Sequence, residues 1–276
     1  MTLAAHITFY YKEDRLQYLT KVIEGIQSIK AETKIFVYSH LHFELKEYDN
    51  VQIIVHGFAT KKNNKLHSIH RFYYQTLLGL GLTKLVHPYY LAWVNRKYIE
   101  KHVEDFDVQM YIEDDILFDA ASFKYWLAYK DLCIQNNYNL GFARVEEDAK
   151  NGRRYCSDIV KPLSKIVELE GKKFVFNDIN PYYGFWIYDK TELKNFMKSK
   201  EWKFKFSNYR VRERSAIGWH GFQMERYKGT LIPLDSSGEN TYTSDVDAQV
   251  HHMPNNYIGH HTFCKVEYPL VISEIK

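Results

Sequence analysis

The chain of 276 residues contains no apolar run of the ~18 residues that a membrane-spanning helix requires. Its opening, MTLAAHITFYYKEDR, lacks the apolar stretch and small-residue cleavage site of a signal peptide, so a cytoplasmic protein is expected, reaching at most the inner face of the cytoplasmic membrane. Three cysteines, Cys133, Cys156 and Cys264, lie far apart without paired metal-ligand spacing, which excludes a disulfide framework and fits reduced thiols. A net charge of +3 is too small to indicate nucleic acid as a partner. The local clusters Lys61, Lys62, Lys65 and Arg210, Arg212, Arg214 would suit anionic small molecules or a peripheral contact with a membrane surface. No glycine-rich phosphate loop is present, which argues against a P-loop enzyme or a dinucleotide dehydrogenase. Nor is there an internal repeat, low-complexity tract or linker, so one continuous domain over 1–276 is expected, with 1–118 and 119–276 as its halves.

What is present is an ordinary globular balance, 45% hydrophobic and 26% charged, sufficient for a sizeable core. Aromatic residues reach 16%, with 23 tyrosines; flat rings with polar tips suit sugar faces, although most will be packing. His6 to Tyr11 reads as a strand, and Leu16, Leu19, Ile23 and Ile26 recur at helical spacing after it. Lys34 to Tyr38 and Val51 to Val55 are short β-branched or aromatic strands, completing a βαβ beginning. His67 to Leu80 and Tyr89 to His102 read as helices, Phe123 to Leu127 as the start of another capped by Asp119 or Ser122. Tyr138 to Val145, Phe174 to Phe176 and Tyr183 to Tyr188 read as strands. The pattern predicts an α/β protein with a Rossmann-like N-terminal half, a mixed central sheet and a more irregular C-terminal half.

The sequence DVQMYIEDDILFD, Asp107 to Asp119, is the most informative segment. Val108, Met110, Tyr111 and Ile112 form a run of strand length that ends in Glu113, Asp114 and Asp115. Alternation sends Glu113 and Asp115 to one side, where two carboxylates repel unless a cation sits between them; hard oxygen donors of this kind suit Mg2+ or Mn2+. The bland reading is a solvated acidic loop or a helix cap.

A βαβ unit followed by a strand closing in an acidic D-x-D-like triplet resembles the GT-A class of nucleotide-sugar-dependent glycosyltransferases. The resemblance implies a divalent cation (Mn2+ or Mg2+) held by Asp115, with Glu113 as a direct or water-mediated ligand and Asp114 touching the ribose or donor sugar. Glu113 departs from the usual first aspartate. In VHHMPNNYIGHH, Val250 to His261, the resemblance makes His251 or His252 a further metal ligand; alternation sends those two to opposite faces. It also makes Glu213, between Arg212 and Arg214, the base that deprotonates the acceptor, with Asp178 and Glu146 behind it. The resemblance also implies that the glycine-bearing strand in NPYYGFWIYDK, with Tyr183 and Trp186, lies near donor and acceptor. Arg144 and Glu146 share a strand face and suit acceptor hydroxyls or phosphate, or an ordinary ion pair. The first strand and its exit are the expected cradle of the nucleotide, with Phe9, Tyr10, Glu13 and Arg15 as candidates for base and ribose contacts and His56 at the end of the third strand.

The function so implied is transfer of a sugar from a nucleoside diphosphate sugar, a UDP-sugar by preference, to a glycan or lipid-linked glycan in cell-surface polysaccharide synthesis, with inversion. Two alternatives stay open: a metal-dependent phosphohydrolase or nucleotidyltransferase, and a non-catalytic carbohydrate-binding protein.

Overall fold

A computed structural model describes residues 1–45, 48–56, 91–182, 184–203 and 230–273. The chain forms two compact units, the first from the described residues of Met1–Leu16, Ala31–Glu113 and Trp186–Gln223, the second from those of Gln17–Lys30, Asp114–Phe185 and Met224–Lys276.

The first unit is built on a five-stranded sheet ordered β11-β4-β1-β2-β3, from β1 (Thr2–Phe9), β2 (Glu32–Ser39), β3 (Val51–Val55), β4 (Val108–Glu113) and β11 (Phe185–Asp189). β1 runs parallel to β2 and to β4, and β2 runs parallel to β3. All six residues of β4 are buried, and so are seven of the eight in β1, as expected of strands inside a parallel sheet. The order 3-2-1-4 reverses at β1, so the crevice outside the carboxyl ends of β1 and β4 is where a ligand of such a sheet binds. Thr8 is paired with Glu113 at that edge. Leu91 from the short helix α2 (Leu91–Val94) packs with Ala4, Phe36 and Tyr38, joined by Ile54, Tyr98 and Phe106.

A buried polar chain crosses this core. The Tyr38 hydroxyl donates to His6 Nδ1 (2.9 Å), and His6 Nε2–H donates to Gln109 Oε1 (3.0 Å), whose amide donates to the His102 carbonyl (3.0 Å). Burial pushes the His6 imidazole down to about 3, against the Gln109 bond, which favours protonation. An unfolded histidine titrates near ~6.5, so the contribution of neutral His6 is complete above that pH and is lost as acid carries the chain towards pH 3. We expect the stability difference between wild type and His6→Leu, from urea unfolding, to shrink by about 2 kcal/mol between pH 7.5 and pH 5. A constant difference would mean that His6 does not control this acid limb.

The described residues of the second unit form two sheets. One runs β16-β13-β12-β10-β9, from β9 (Ile166–Leu169), β10 (Lys172–Asn177), β12 (Thr230–Gly238), β13 (Thr241–Ser244) and β16 (Val271–Ser273), with β6 (Asn139–Leu140) beside β12. The other runs β15-β8-β7-β14-β5, from β5 (Ile116–Leu117), β7 (Ala143–Asp148), β8 (Arg153–Cys156), β14 (Gln249–His252) and β15 (Val266–Tyr268). The expected strand Tyr138 to Val145 is thus two strands in different sheets. Gly141 marks the break: a side chain there would meet Thr230 at 2.9 Å.

Helix α1 (Leu16–Gln27) presents Gly25 to the carbonyl of Phe118, 2.7 Å from where a Cβ would stand, and Ser28 Oγ accepts from Ala120 N (3.0 Å). The helix Ala120–Gln135 is capped by Asp119, which accepts from Ala121 N and Ser122 N, rather than by Ser122. The chain is mixed α/β, with a Rossmann-like parallel start and a strand-rich, less regular second unit. The expected helix His67 to Leu80 lies outside the described residues.

Candidate active site

The acidic triplet is neither a solvated loop nor a helix cap. Glu113, Asp114 and Asp115 are 1%, 4% and 7% exposed, and the cap of the following helix is Asp119. Glu113 ends β4 in the first unit; Asp114 and Asp115 belong to the second.

Within the second unit, β14 lies between β7 and β5, parallel to β7 (Val250↔Arg144, His251↔Val145) and antiparallel to β5 (His252↔Ile116). Met253 N donates to the Asp115 carbonyl (3.0 Å), closing the end of the ladder. This register sets His252 Nε2 at 3.6 Å from Asp115 Oδ2 and His252 Nδ1 at 2.5 Å from Glu146 Oε1. His251 faces away, with Nε2 2.9 Å from Asn255 Oδ1. Of the two candidate histidines, His252 is the one beside the acidic motif.

Burial, the largest influence on His252, lowers its pKa, but the Asp115 and Glu146 carboxylates more than offset it and hold the imidazole above its usual value. Asp115 and His252 also suit a divalent cation. Their facing atoms are one oxygen and one nitrogen, buried, and 3.6 Å is shorter than the ~4.2 Å that two ligands at ~2.1 Å can span.

Glu146 is fully buried and committed internally. Besides His252, it accepts from Tyr257 N (2.7 Å) and Ile258 N (3.0 Å), with Cys264 Sγ at 3.8 Å. The Arg144 guanidinium forms a side-on fork with Asp158, Nε to Oδ2 at 2.6 Å and Nη2 to Oδ1 at 3.1 Å, and sits over the rings of Tyr182 and Tyr257. Arg144 and Glu146, expected to suit acceptor hydroxyls or phosphate or an ordinary ion pair, are each paired with a different residue, Asp158 and His252. Trp186, expected near donor and acceptor, is a core residue. It is buried in a nest with Tyr111, Tyr188, Phe196 and Trp202. Phe9 is a core residue, packed on Tyr11 and Phe43.

At the carboxyl edge of the first unit's sheet, Tyr10 stacks on His40 with centroids 4.0 Å apart and planes 10° from parallel. Both directly follow paired strand ends, Phe9↔Ser39. Thr8 Oγ1 is buried there with no hydrogen-bond partner among the described residues. His56 follows β3 and bonds through its N–H to Ser39 O (2.7 Å), its ring 6.3 Å from that of Tyr38. Glu13 is exposed and Arg15 half-buried on the single 3-10 turn after β1, and Asp178 is exposed after β10. His40 and Thr8 were missed from the sequence. The signal for His40 was its place directly after β2, equivalent to that of Tyr10 after β1. Glu213 and Tyr183 lie outside the described residues.

No family model matches the chain, and no curated protein matches it. Among solved structures, it is similar to S. aureus TarS 1-349, at 13% identity and a TM-score of 0.44, covering 92% of this chain and 60% of that one. The UDP-GlcNAc complex of TarS 1-349 gives 12% identity, a TM-score of 0.38 and coverage of 93% and 62%. The galactosyltransferase LgtC, in complex with donor and acceptor sugar analogs, gives 15%, 0.27, and coverage of 73% and 63%. The chain thus spans about 60% of the length of the TarS chain it matches.

Proposed function

We propose that the chain is a metal-dependent glycosyltransferase that uses a nucleoside diphosphate sugar, preferentially a UDP-sugar. The observation that carries this reading is the buried meeting of Asp115 and His252, two residues along the chain from the carboxyl end of β4 in a 3-2-1-4 sheet. Asp115 and His252 hold a divalent cation, Mn2+ or Mg2+, with Glu113 assigned to assist from the strand end. When bound, the cation offsets the charge that grows on the departing diphosphate.

The remaining roles fall to this chain's own groups. The Tyr10–His40 ring pair offers a platform for the base, and the Thr8 hydroxyl a donor or acceptor at the sheet edge. Glu13, Arg15 and His56 bind around the nucleotide, and Asp114 contacts the ribose or donor sugar. Glu213 takes the proton from the acceptor hydroxyl as its oxygen bonds to the anomeric carbon and the bond to the diphosphate breaks, with inversion. The acceptor is a glycan or lipid-linked glycan of a cell-surface polysaccharide, met in part through Asp178 and Tyr183. A cytoplasmic placement fits three buried free thiols, and no helix among the described residues is long and apolar enough to cross a membrane.

A panel of nucleotide sugars tests this reading through thermal stabilisation and slow hydrolysis, each with Mn2+ and with EDTA. We expect one UDP-sugar to raise the melting temperature and to be hydrolysed only with the metal. Equal stabilisation by Mn2+ alone and by every sugar nucleotide with it would defeat the donor assignment.

A further inference from the structure

We infer that Glu146 is a positioning residue which fixes His252 with Nδ1 protonated, so that the bare Nε2 faces Asp115 and a cation; this rests on the metal-dependent reading above. The starting observation is that a fully buried carboxylate has both oxygens assigned. Oε2 accepts from the backbone N–H groups of Tyr257 and Ile258, at 2.7 and 3.0 Å, and is thereby locked to the turn after β14. Oε1 is left to face His252 Nδ1 at 2.5 Å. A carboxylate can only accept, so Nδ1 must carry the proton.

Ring orientation is fixed on three sides. β7 and β14 run parallel with Val250 opposite Arg144, which brings Glu146 and His252 side by side on one face. Tyr257 stacks on the imidazole, centroids 5.5 Å apart and planes 25° from parallel. Met253 N, bonded to the Asp115 carbonyl, ties the end of β14 to the residue that Nε2 faces. A metal-binding histidine whose other ring nitrogen donates to a buried carboxylate is a more basic ligand held in a single tautomer. The same geometry removes Glu146 from the acceptor-binding and general-base roles.

Glu146→Gln is the informative substitution because it preserves size and reverses one bond. The amide oxygen is the only atom left that can accept from Tyr257 N and Ile258 N, so the NH2 group turns to His252 Nδ1. That nitrogen must then accept, and the proton moves to Nε2, the atom meant for the cation.

Long-range nitrogen–proton NMR of the metal-free protein, at a pH where the ring is neutral, reads this tautomer directly. We expect Nδ1–H in the wild type, with its proton shifted far downfield, and Nε2–H in Glu146→Gln. Titration with Mn2+ alone, followed calorimetrically, should show a ~10–100-fold loss of affinity in the variant. A wild type with Nε2–H overturns the inference without any variant. So does a folded variant that retains Nδ1–H, or one that binds Mn2+ as tightly as wild type while the wild type binds it well. A wild type that shows the expected tautomer yet binds no Mn2+ sinks the metal reading itself, and the cation-directed role of Glu146 with it.

Discussion

Asp115→Asn should lower Mn2+ affinity by more than the ~10–100-fold typical of a supporting residue, and abolish the part of UDP binding that depends on the metal. The substitution keeps the shape of the side chain and removes its charge. In the metal-free protein the Nδ1 proton of His252 stays hydrogen-bonded to Glu146 at 2.5 Å, while Asp115 stands 3.6 Å from the other ring nitrogen. With a cation the substitution weighs more, since a neutral amide replaces the carboxylate that faces Nε2 at 3.6 Å. His252→Ala should fall in the same range. His251→Ala should bind Mn2+ as wild type does, because its imidazole is bonded to Asn255 on the other face of β14. Titration calorimetry of the three variants with Mn2+, then with UDP and Mn2+ together, separates them. If His251→Ala and His252→Ala lost affinity equally, the site would have to be assembled differently from the register observed.

That contrast also shows what could be read from the residues alone. The motif strand was legible because the largely apolar run Val108 to Ile112 ends in three carboxylates; burial of all three excludes the loop, and Asp119 takes the place of the helix cap. The parallel start was legible because β1, β2 and β3 are short, apolar and separated by turn or helical patterns. Opposite faces for His251 and His252 follow from extended geometry, but which of them meets Asp115 depends on β14 pairing with β5, more than 130 residues earlier in the chain. The role of Glu146 depends on a partner 106 residues away. Alternation places Arg144 and Glu146 on one face, but it cannot reveal that Asp158, from the chain just after β8, captures the first while His252 captures the second. Nor could the sequence reveal that Trp186 packs in a nest with Phe196 and Trp202, since those partners follow it in the chain with no pattern that marks the contact.

The same side-chain sorting leads to the largest stability effect expected of this chain. Arg144→Met should destabilise it by about 3–5 kcal/mol in urea unfolding, the range for stranding one member of a buried ion pair. Both partners are almost wholly buried, and the guanidinium spans both Asp158 oxygens as well as Ser157 Oγ at 3.0 Å. Without it, the donors left to Asp158 among the described residues are neutral, the Ser157 hydroxyl at 2.7 Å and the Asn180 amide at 3.3 Å. Removing the carboxylate as well, in Arg144→Met with Asp158→Leu, should recover most of the loss, because two well-packed apolar groups replace a pair whose desolvation nearly cancels its attraction. A double-mutant cycle measures that recovery as a coupling energy. If both variants were equally unstable, the loss would come from packing against Tyr182 and Tyr257 rather than from charge. The Mn2+ affinity of the double variant then bears on the site: the Tyr257 ring lies against both Arg144 and His252, while its backbone N–H holds Glu146. Wild-type affinity in the double variant would show that the imidazole keeps its place without the Arg144 contact to the Tyr257 ring.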